Sequence, residues 1–239
     1  MRLLVRTWNV FHGNASPPER RAFLDEMVRL ASADRPDVLC LQELPLWSLR
    51  RLDAWSSMTV VADVTRRAPL GIWLGRAITA LDHGLFRSAF TGQANAILLS
   101  RPFRVREHRS VALTHSGEPR RCQAVRLECA GRTLVVANAH VDSLTADAEI
   151  LRAAAFVDEF ATSEEPIVFA GDFNITAARS EALRVLAGAE SLTGATATGI
   201  DQVLSRGLRG APGEPWPVAR RTVEGRILSD HPPVDRELT

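Results

Sequence analysis

Short apolar runs bounded by turn residues alternate along the chain with segments in which apolar residues recur every three or four positions. The first pattern is typical of buried strands, and the second predicts amphipathic helices. Together they predict a chain built from both kinds of element, with strands at residues 2–10, 38–42, 94–99, 124–128, 133–139, 167–170 and 202–204.

The first predicted helix has the clearest start signal. Ser16 and Glu19 form an S-x-x-E capping box, with Pro17 at the first helical position. Phe23 and Met27 then follow at the spacing of one helix face. A helix is therefore predicted to begin at the capping box.

The order of the elements indicates the fold class. Further helices are predicted at residues 146–161 and 180–187. The chain begins with a strand, a helix and a strand, continues with a block of strands, and ends with a helix and a strand. This order predicts a layered α/β domain with mixed sheets. No shift in composition divides the chain, so residues 1–239 are predicted to form a single domain.

The composition is that of an ordinary globular protein, with 46% hydrophobic and 24% charged residues among 239. This much apolar surface can fill a core, which excludes disorder, collagen and coiled coil as the dominant state. No apolar run reaches the roughly 20 residues of a membrane span, so no transmembrane segment is expected. The net charge of +1 gives no bulk-charge argument for binding nucleic acid or a membrane.

The three cysteines lack the spacing of a metal site. Cys40 lies within an apolar run, where a small buried side chain in a reducing compartment is expected. The N-terminal apolar run is too short for a secretory signal. A cytoplasmic location is therefore expected.

Polar side chains stand where several apolar runs end. In layered α/β folds the strand ends form the crevice in which ligands bind. Alone, each residue has a structural explanation, such as a turn cap, a surface acid or an Asx turn. Their joint occurrence is harder to explain by chance and predicts one site, formed by Asn9, Glu43, His140, Asp172, Asn174, Asp230 and His231.

The chemistry of this set is rich in oxygen and contains no thiolate cluster. Carboxylates with an amide suit a hard cation, Mg²⁺ or Mn²⁺, rather than zinc. A hard cation beside two histidines and a free Asp suits the attack of water on a phosphorus ester. No G-x-S-x-G elbow and no phosphate-binding G-x-x-x-x-G-K-[ST] loop is present, which argues against a serine hydrolase and a P-loop NTPase.

Several segments resemble the endonuclease/exonuclease/phosphatase superfamily, which has the DNase I-like fold. The sequences Gly-Asp-Phe-Asn and Ser-Asp-His-Pro are the most specific of them. The resemblance implies an α/β (α+β) four-layer sandwich, in which two mixed β-sheets pack face to face with helices outside. The matching segments keep the order of the family and lie at residues 7–10, 41–43, 95–101, 138–140, 171–174, 200–204 and 229–232.

The resemblance also implies a metal site. Glu43 would be the principal ligand of Mg²⁺ (or Mn²⁺), with Asn9 beside it and Asp230 near the ion. The abasic-site endonuclease branch has an Asp where this chain has Phe11, and it uses a Tyr that this chain lacks. These departures argue against that branch.

Catalytic roles follow from the same resemblance. Asp172 would orient or activate the water, and Asn174 would donate to the phosphate. His231, held by Asp201, would contact the scissile phosphate. His140 would be a second acid or donor on the phosphate side.

The expected function is a divalent-metal-dependent phosphoesterase that hydrolyses a phosphodiester, either nuclease-like or acting on a phospholipid or small molecule. The alternatives are a phosphomonoesterase and a non-catalytic scaffold that binds phosphorylated partners. A phosphoester is the expected partner, with nucleic acid as one candidate, and no obligate protein partner is evident.

Three features leave the substrate open. The Trp side chains at 47, 55 and 73 either line a substrate surface or fill the core. Residues 70–74 either form the exposed apolar element of a lipid phosphodiesterase or are buried. A group of arginines forms either the basic groove of a nuclease or the exposed edge of a strand pair. It comprises Arg101, Arg104, Arg106, Arg109, Arg120 and Arg121.

Overall fold

The computed structural model describes residues 2–86, 89–100, 102–114, 117–189 and 192–239. Its helices are α1 (Leu24–Ser32), α2 (Leu52–Ser56), α3 (Ile72–Leu81), α4 (His83–Phe86), α5 (Ala146–Phe160) and α6 (Glu181–Ala189). Its strands are β1 (Leu3–Asn9), β2 (Ala15–Ser16), β3 (Val38–Leu44), β4 (Thr59–Arg66), β5 (Gln93–Leu99), β6 (Arg104–Ala112), β7 (Arg121–Cys129), β8 (Arg132–His140), β9 (Ile167–Asp172), β10 (Asp201–Arg206), β11 (Glu214–Pro215), β12 (Thr222–Val223), β13 (Arg226–Leu228) and β14 (Val234–Leu238).

Two sheets pack face to face. Among the described residues, one sheet has six strands in the order β11-β14-β1-β3-β5-β4, and the other has five in the order β10-β9-β8-β7-β6. The pairs β1–β3 and β8–β9 are parallel, whereas β1–β14 and β7–β8 are antiparallel, so both sheets are mixed. Helices α1 and α2 cover the first sheet, and α5 and α6 cover the second. The predicted four-layer sandwich is confirmed.

The alternation of side chains along β3 shows how the layers form. Leu39 and Leu41 point outward into the cluster that includes α1, whereas Val38 and Cys40 point inward against the second sheet. Because both faces are covered, the strand is apolar on both sides and appears as a continuous run in the sequence. The predicted burial of Cys40 is confirmed, and this burial raises the pKa of its thiol.

A polar group joins the two sheets beneath the strand ends. Asn138 is fully buried, and its Nδ2 donates to the backbone oxygens of Leu41 and Ala96, each at 3.0 Å. Its Oδ1 accepts a hydrogen bond of 2.7 Å from Gln42 Nε2. The amide therefore satisfies polar groups of both sheets in a region that excludes water.

Replacing Asn138 with Leu should lower the free energy of unfolding by about 2–4 kcal/mol, because several buried polar groups then lose their partner. Gln123 provides a matched control, since it lies directly opposite Asn138 on β7 and is also fully buried. Its side-chain amide has no hydrogen-bond partner among the described residues, so Gln123→Leu should be neutral or stabilising. Urea unfolding of both variants tests this contrast, and equal losses would contradict it.

The structure corrects the prediction for the first helix. Helix α1 begins at Leu24, not at the predicted capping box. Ser16 instead pairs with Ile227 in a small sheet formed by β12, β13 and β2, because tertiary pairing outweighs the local signal. The other predicted helices and all predicted strands have counterparts in the structure. The elements that the sequence does not predict are α2, α3, α4, β2, β4, β6, β11, β12, β13 and β14.

Candidate active site

The predicted site residues come together at one edge of the sandwich. In the second sheet Asp172 lies opposite both His140 and Asp201, which places these three side chains in one row. Asn9 bridges from the first sheet, because its Nδ2 donates to Glu43 Oε1 at 3.2 Å and to Asp172 Oδ2 at 2.9 Å. Residues from β1, β3, β8, β9 and β10 therefore lie in contact.

Unusual backbone geometry directs two of these side chains. Glu43 has a φ of 56°, and the pairing of β3 with β5 shifts register between Leu41 and Leu44. Such an irregularity re-aims a side chain at the end of a strand. Asn174 has a φ of 51°, and its backbone nitrogen donates to Asp172 Oδ1 at 2.9 Å. Strained conformations of this kind persist where the surrounding structure holds them, often at functional sites.

Gly171 allows β8 and β9 to approach closely beside the site. A Cβ at this position would lie 1.9 Å from the backbone oxygen of Ala139, and the φ of 147° also favours glycine. Any larger residue would push apart the strands that carry His140 and Asp172. The glycine of the Gly-Asp-Phe-Asn sequence thus has a steric reason.

Glu43 is the most accessible carboxylate next to Asn9, with 17% of its side chain exposed. His12 Nε2 lies 3.0 Å from Glu43 Oε2, and His140 Nε2 lies 3.7 Å from Oε1. Burial raises the pKa of Glu43, but the hydrogen bonds that its carboxylate accepts from His12 and Asn9 outweigh burial and hold the pKa well below its usual range. Glu43 is therefore ionised at neutral pH.

Asp172 is almost completely buried between the two histidines. Its Oδ2 lies 3.5 Å from His140 Nε2 and 3.8 Å from His231 Nε2. Burial, together with the negative charge of Asp201, raises the pKa of Asp172 to about 7. A carboxyl group with this pKa can accept a proton near neutral pH.

His231 and Asp201 form a hydrogen-bonded pair, with 2.9 Å between Nδ1 and Oδ2. Burial lowers the pKa of His231, but this hydrogen bond and the surrounding carboxylates outweigh burial and raise the pKa to about 10. Trp8 Nε1 donates to the backbone oxygen of His231, which fixes the segment. The imidazole is thus a positively charged donor held by a buried carboxylate.

His140, unlike His231, is uncharged at neutral pH. Arg120 Nη1 lies 2.8 Å from Nδ1 and 2.7 Å from Nε2 of its ring. Burial and the positive charge of Arg120 lower the pKa of His140 to about 3. A neutral imidazole can donate a hydrogen bond, but it cannot supply a proton as an acid at neutral pH.

Two predicted residues are less central. Asp230 is exposed, and its Oδ1 lies 3.9 Å from His231 Nε2. No contact joins Asp230 to Glu43 in the part of the chain that the structure describes. Asn174 Nδ2 donates to the backbone oxygen of Val141 at 2.9 Å, which anchors its amide next to the site.

The sequence did not identify two residues at the site. His12 contacts Glu43 from a short 3₁₀ segment, Phe11–Gly13, that follows β1. The sequence indicates Arg120 only as part of a basic group, not as a neighbour of His140. In both cases the loop conformation, not a motif, brings the side chain to the site.

The basic group is mostly the edge of a strand pair. Arg106 pairs with Glu128 at 2.6 Å, and Arg109 pairs with Glu107 at the same distance. These acids neutralise the edge, so these two arginines do not form a free basic groove. Arg101 lies outside the described residues.

A cation could bind either at the cluster of Asp172, Asp201 and His231 or at Glu43 beside Asn9. Asp172, Asp201 and His231 each offer a ligand atom within 4.8 Å of the others. In that group, however, the pKa of His231 is raised to about 10, so both ring nitrogens carry protons at neutral pH and neither can bind a metal. The ionised and partly exposed Glu43 is the better ligand for a hard cation.

Within the described residues, no helix is long and apolar enough to cross a bilayer.

Solved structures with the same fold include three from different organisms. The human Nocturnin catalytic domain with bound sulfate has a TM-score of 0.74 at 15% identity, over 100% of this chain and 93% of that one. A mannosyl-6-phosphatase of Bacteroides thetaiotaomicron has a TM-score of 0.71 at 15% identity, over 99% of both chains. Truncated Caenorhabditis elegans TDP2 has a TM-score of 0.67 at 16% identity, over 100% of this chain and 97% of that one.

Sequence similarity identifies the family. No curated protein matches the chain significantly. The sequence model of the Endonuclease/Exonuclease/phosphatase family matches residues 7–231, nearly the whole length, and the site residues lie within that range. The chain therefore belongs to the endonuclease/exonuclease/phosphatase family.

Proposed function

We propose that the protein is a divalent-metal-dependent hydrolase of phosphodiesters. The observation that carries this proposal is the double contact of Asn9, whose amide holds Glu43 and Asp172 side by side from two different sheets. Membership of the family supports action on a phosphoester. The sulfate bound to Nocturnin and the activity named for the mannosyl-6-phosphatase agree with a site for tetrahedral oxyanions in this fold.

The residues of the site fit a hard cation such as Mg²⁺ or Mn²⁺. Glu43 would be its principal ligand, with Asn9 beside it and Asp230 on the side of His231. The fit rests on an ionised carboxylate at an oxygen-rich and partly exposed position, which is the donor chemistry that these ions prefer. When bound, the cation would neutralise charge on the phosphate.

The other side chains supply proton transfer and positioning. Asp172 accepts the proton of the water as the new P–O bond forms and the bond to the leaving alkoxide breaks, and the alkoxide then takes a proton from solvent water. The charged His231 donates to a phosphate oxygen, and Asp201 keeps its ring in place. His140 donates as a neutral imidazole, and Asn174 retains a second amide hydrogen for the phosphate.

The metal-dependent hydrolysis of bis(4-nitrophenyl) phosphate tests this function. With Mg²⁺ or Mn²⁺ we expect release of nitrophenol that stops in excess EDTA, and slower turnover of 4-nitrophenyl phosphate. Turnover of the monoester alone would identify a phosphomonoesterase. Binding of phosphate without turnover of either ester would identify a non-catalytic scaffold and contradict the proposal.

A further inference from the structure

Helix α3 has its apolar side on the outside. Trp73 is 77% exposed, Leu74 is 54% exposed and Leu81 is 72% exposed. The inward positions are occupied by Gly75 and Thr79, which are buried. A surface helix of a globular protein normally buries its apolar face, so this orientation is the reverse of the usual one.

Close packing fixes the helix in this orientation. A Cβ at Gly75 would lie only 2.0 Å from the backbone oxygen of Phe90, so the helix rests directly on neighbouring backbone. Thr79 Oγ1 donates to the backbone oxygen of Gly75 at 2.8 Å, which satisfies the buried hydroxyl within the helix. Larger side chains do not fit on this side, and the apolar residues must therefore face outward.

The charge around the apolar face is positive. Residues 64–81 contain no Asp or Glu. A cavity of about 140 Å³ beside Trp73 is lined in part by Arg50 and Arg51. Neither of these arginines, nor Arg67, forms an ion pair with any residue in the described ranges. Apolar side chains surrounded by free guanidinium groups are complementary to an anionic lipid surface.

The same element is attached to the candidate site. The guanidinium of Arg76 lies 5.0 Å from the ring centroid of Trp47, which follows Glu43 by four residues. His83 Nε2, at the start of α4, lies 3.0 Å from the backbone oxygen of His12, the residue that contacts Glu43. A surface that binds α3 would therefore be held next to the site.

We propose that the outward face of α3 docks reversibly on an anionic phospholipid bilayer and brings the candidate site to the lipid headgroups. The docking does not require catalysis, whereas the identification of a lipid headgroup as the hydrolysed phosphoester rests on the proposed function. Nucleic acid would also attract the arginines. However, Leu70, Leu74 and Leu81 are aliphatic, and of the exposed apolar side chains described on this face Trp73 alone could stack on a base, which favours lipid.

Co-sedimentation with vesicles in EDTA tests the docking. The full chain should sediment with vesicles of phosphatidylcholine and phosphatidylglycerol but not with phosphatidylcholine alone, and salt should weaken binding. Leu74→Glu should weaken binding at least ~10-fold, because a charge enters the apolar face. Leu151→Glu is the matched control, since this leucine is 42% exposed on α5, and its binding should be unchanged.

Fluorescence gives a second readout. The emission of the exposed Trp73 should shift to the blue on anionic vesicles, and Trp73→Phe should remove the shift while binding persists. Circular dichroism of both α3 variants should match that of the wild type, because the substituted side chains are exposed.

The outcomes separate the alternatives. Failure of the wild type to sediment, equal losses in the two Leu→Glu variants, or self-association through α3 in light scattering would overturn the docking. The docking would also be overturned if the wild type bound a single-stranded oligonucleotide but no vesicles, and if Leu74→Glu abolished that binding. Docking without turnover of any phosphoester would support the lipid surface and overturn the proposed function alone.

Discussion

Replacing Glu43 with Gln should lower kcat/KM for a phosphodiester at least ~100-fold in the presence of Mg²⁺, because the substitution removes the charge of the principal ligand. The amide keeps the size of the side chain, so the folded structure should persist. The effect should also appear without substrate. Mn²⁺ should raise the Tm of the wild type through binding to the folded state, and this increase should be lost in Glu43→Gln.

A matched control separates the role of Glu43 from loss of a carboxylate in general. Glu159 is exposed on α5, away from the site, and Glu159→Gln should retain both the activity and the Tm increase. Full activity of Glu43→Gln with an unchanged Mn²⁺ response would contradict the assignment of the ligand.

His231→Gln should lower kcat ~100- to 1,000-fold, because the phosphate loses a charged donor whose side chain is largely buried. Asp201 acts through this ring and is a positioning residue. Asp201→Asn should therefore also lower kcat, and the double variant should be no worse than His231→Gln alone, because both substitutions remove one function. Additive losses in the double variant would show that the two residues act separately.

The dependence of activity on pH shows whether Asp201 positions His231 or only stabilises the fold. The hydrogen bond and the charge of Asp201 contribute to raising the pKa of His231 to about 10, so the wild type should lose activity on the alkaline side near that pH. Without the negative charge the protonated ring is less favoured, and its pKa falls. The alkaline limb of Asp201→Asn should therefore move to lower pH. An unmoved limb would contradict the pairing.

The strands that can be predicted from the sequence are those buried inside the sheets. β3 and β8 lie inside their sheets, and their continuous apolar runs are visible in the sequence. β4 and β6 are not predicted, because each lies at an edge of its sheet, where polar residues interrupt the apolar run. Helix α3 is not predicted for another reason. Its ten residues are almost all apolar or small, and Arg76 is the one charge among them, so no polar face marks a helix in the sequence.

The predictability of the site followed its attachment to strands. Asn9, Glu43 and Asp172 end apolar runs, and strand ends form the ligand crevice of layered α/β folds, so their meeting could be expected from the sequence. His12 and Arg120 could not be found in this way. His12 has a φ of 56° in a short turn, and sequence patterns do not specify such local conformations.

The most direct test of the central claim is the anomalous diffraction of a crystal soaked in Mn²⁺. We expect one strong peak within coordination distance of a Glu43 carboxylate oxygen, on the side that faces Asp172 and His231. A peak held by Asp201 and His231 with Glu43 outside coordination distance, or the absence of any peak at this edge of the sandwich, would contradict it.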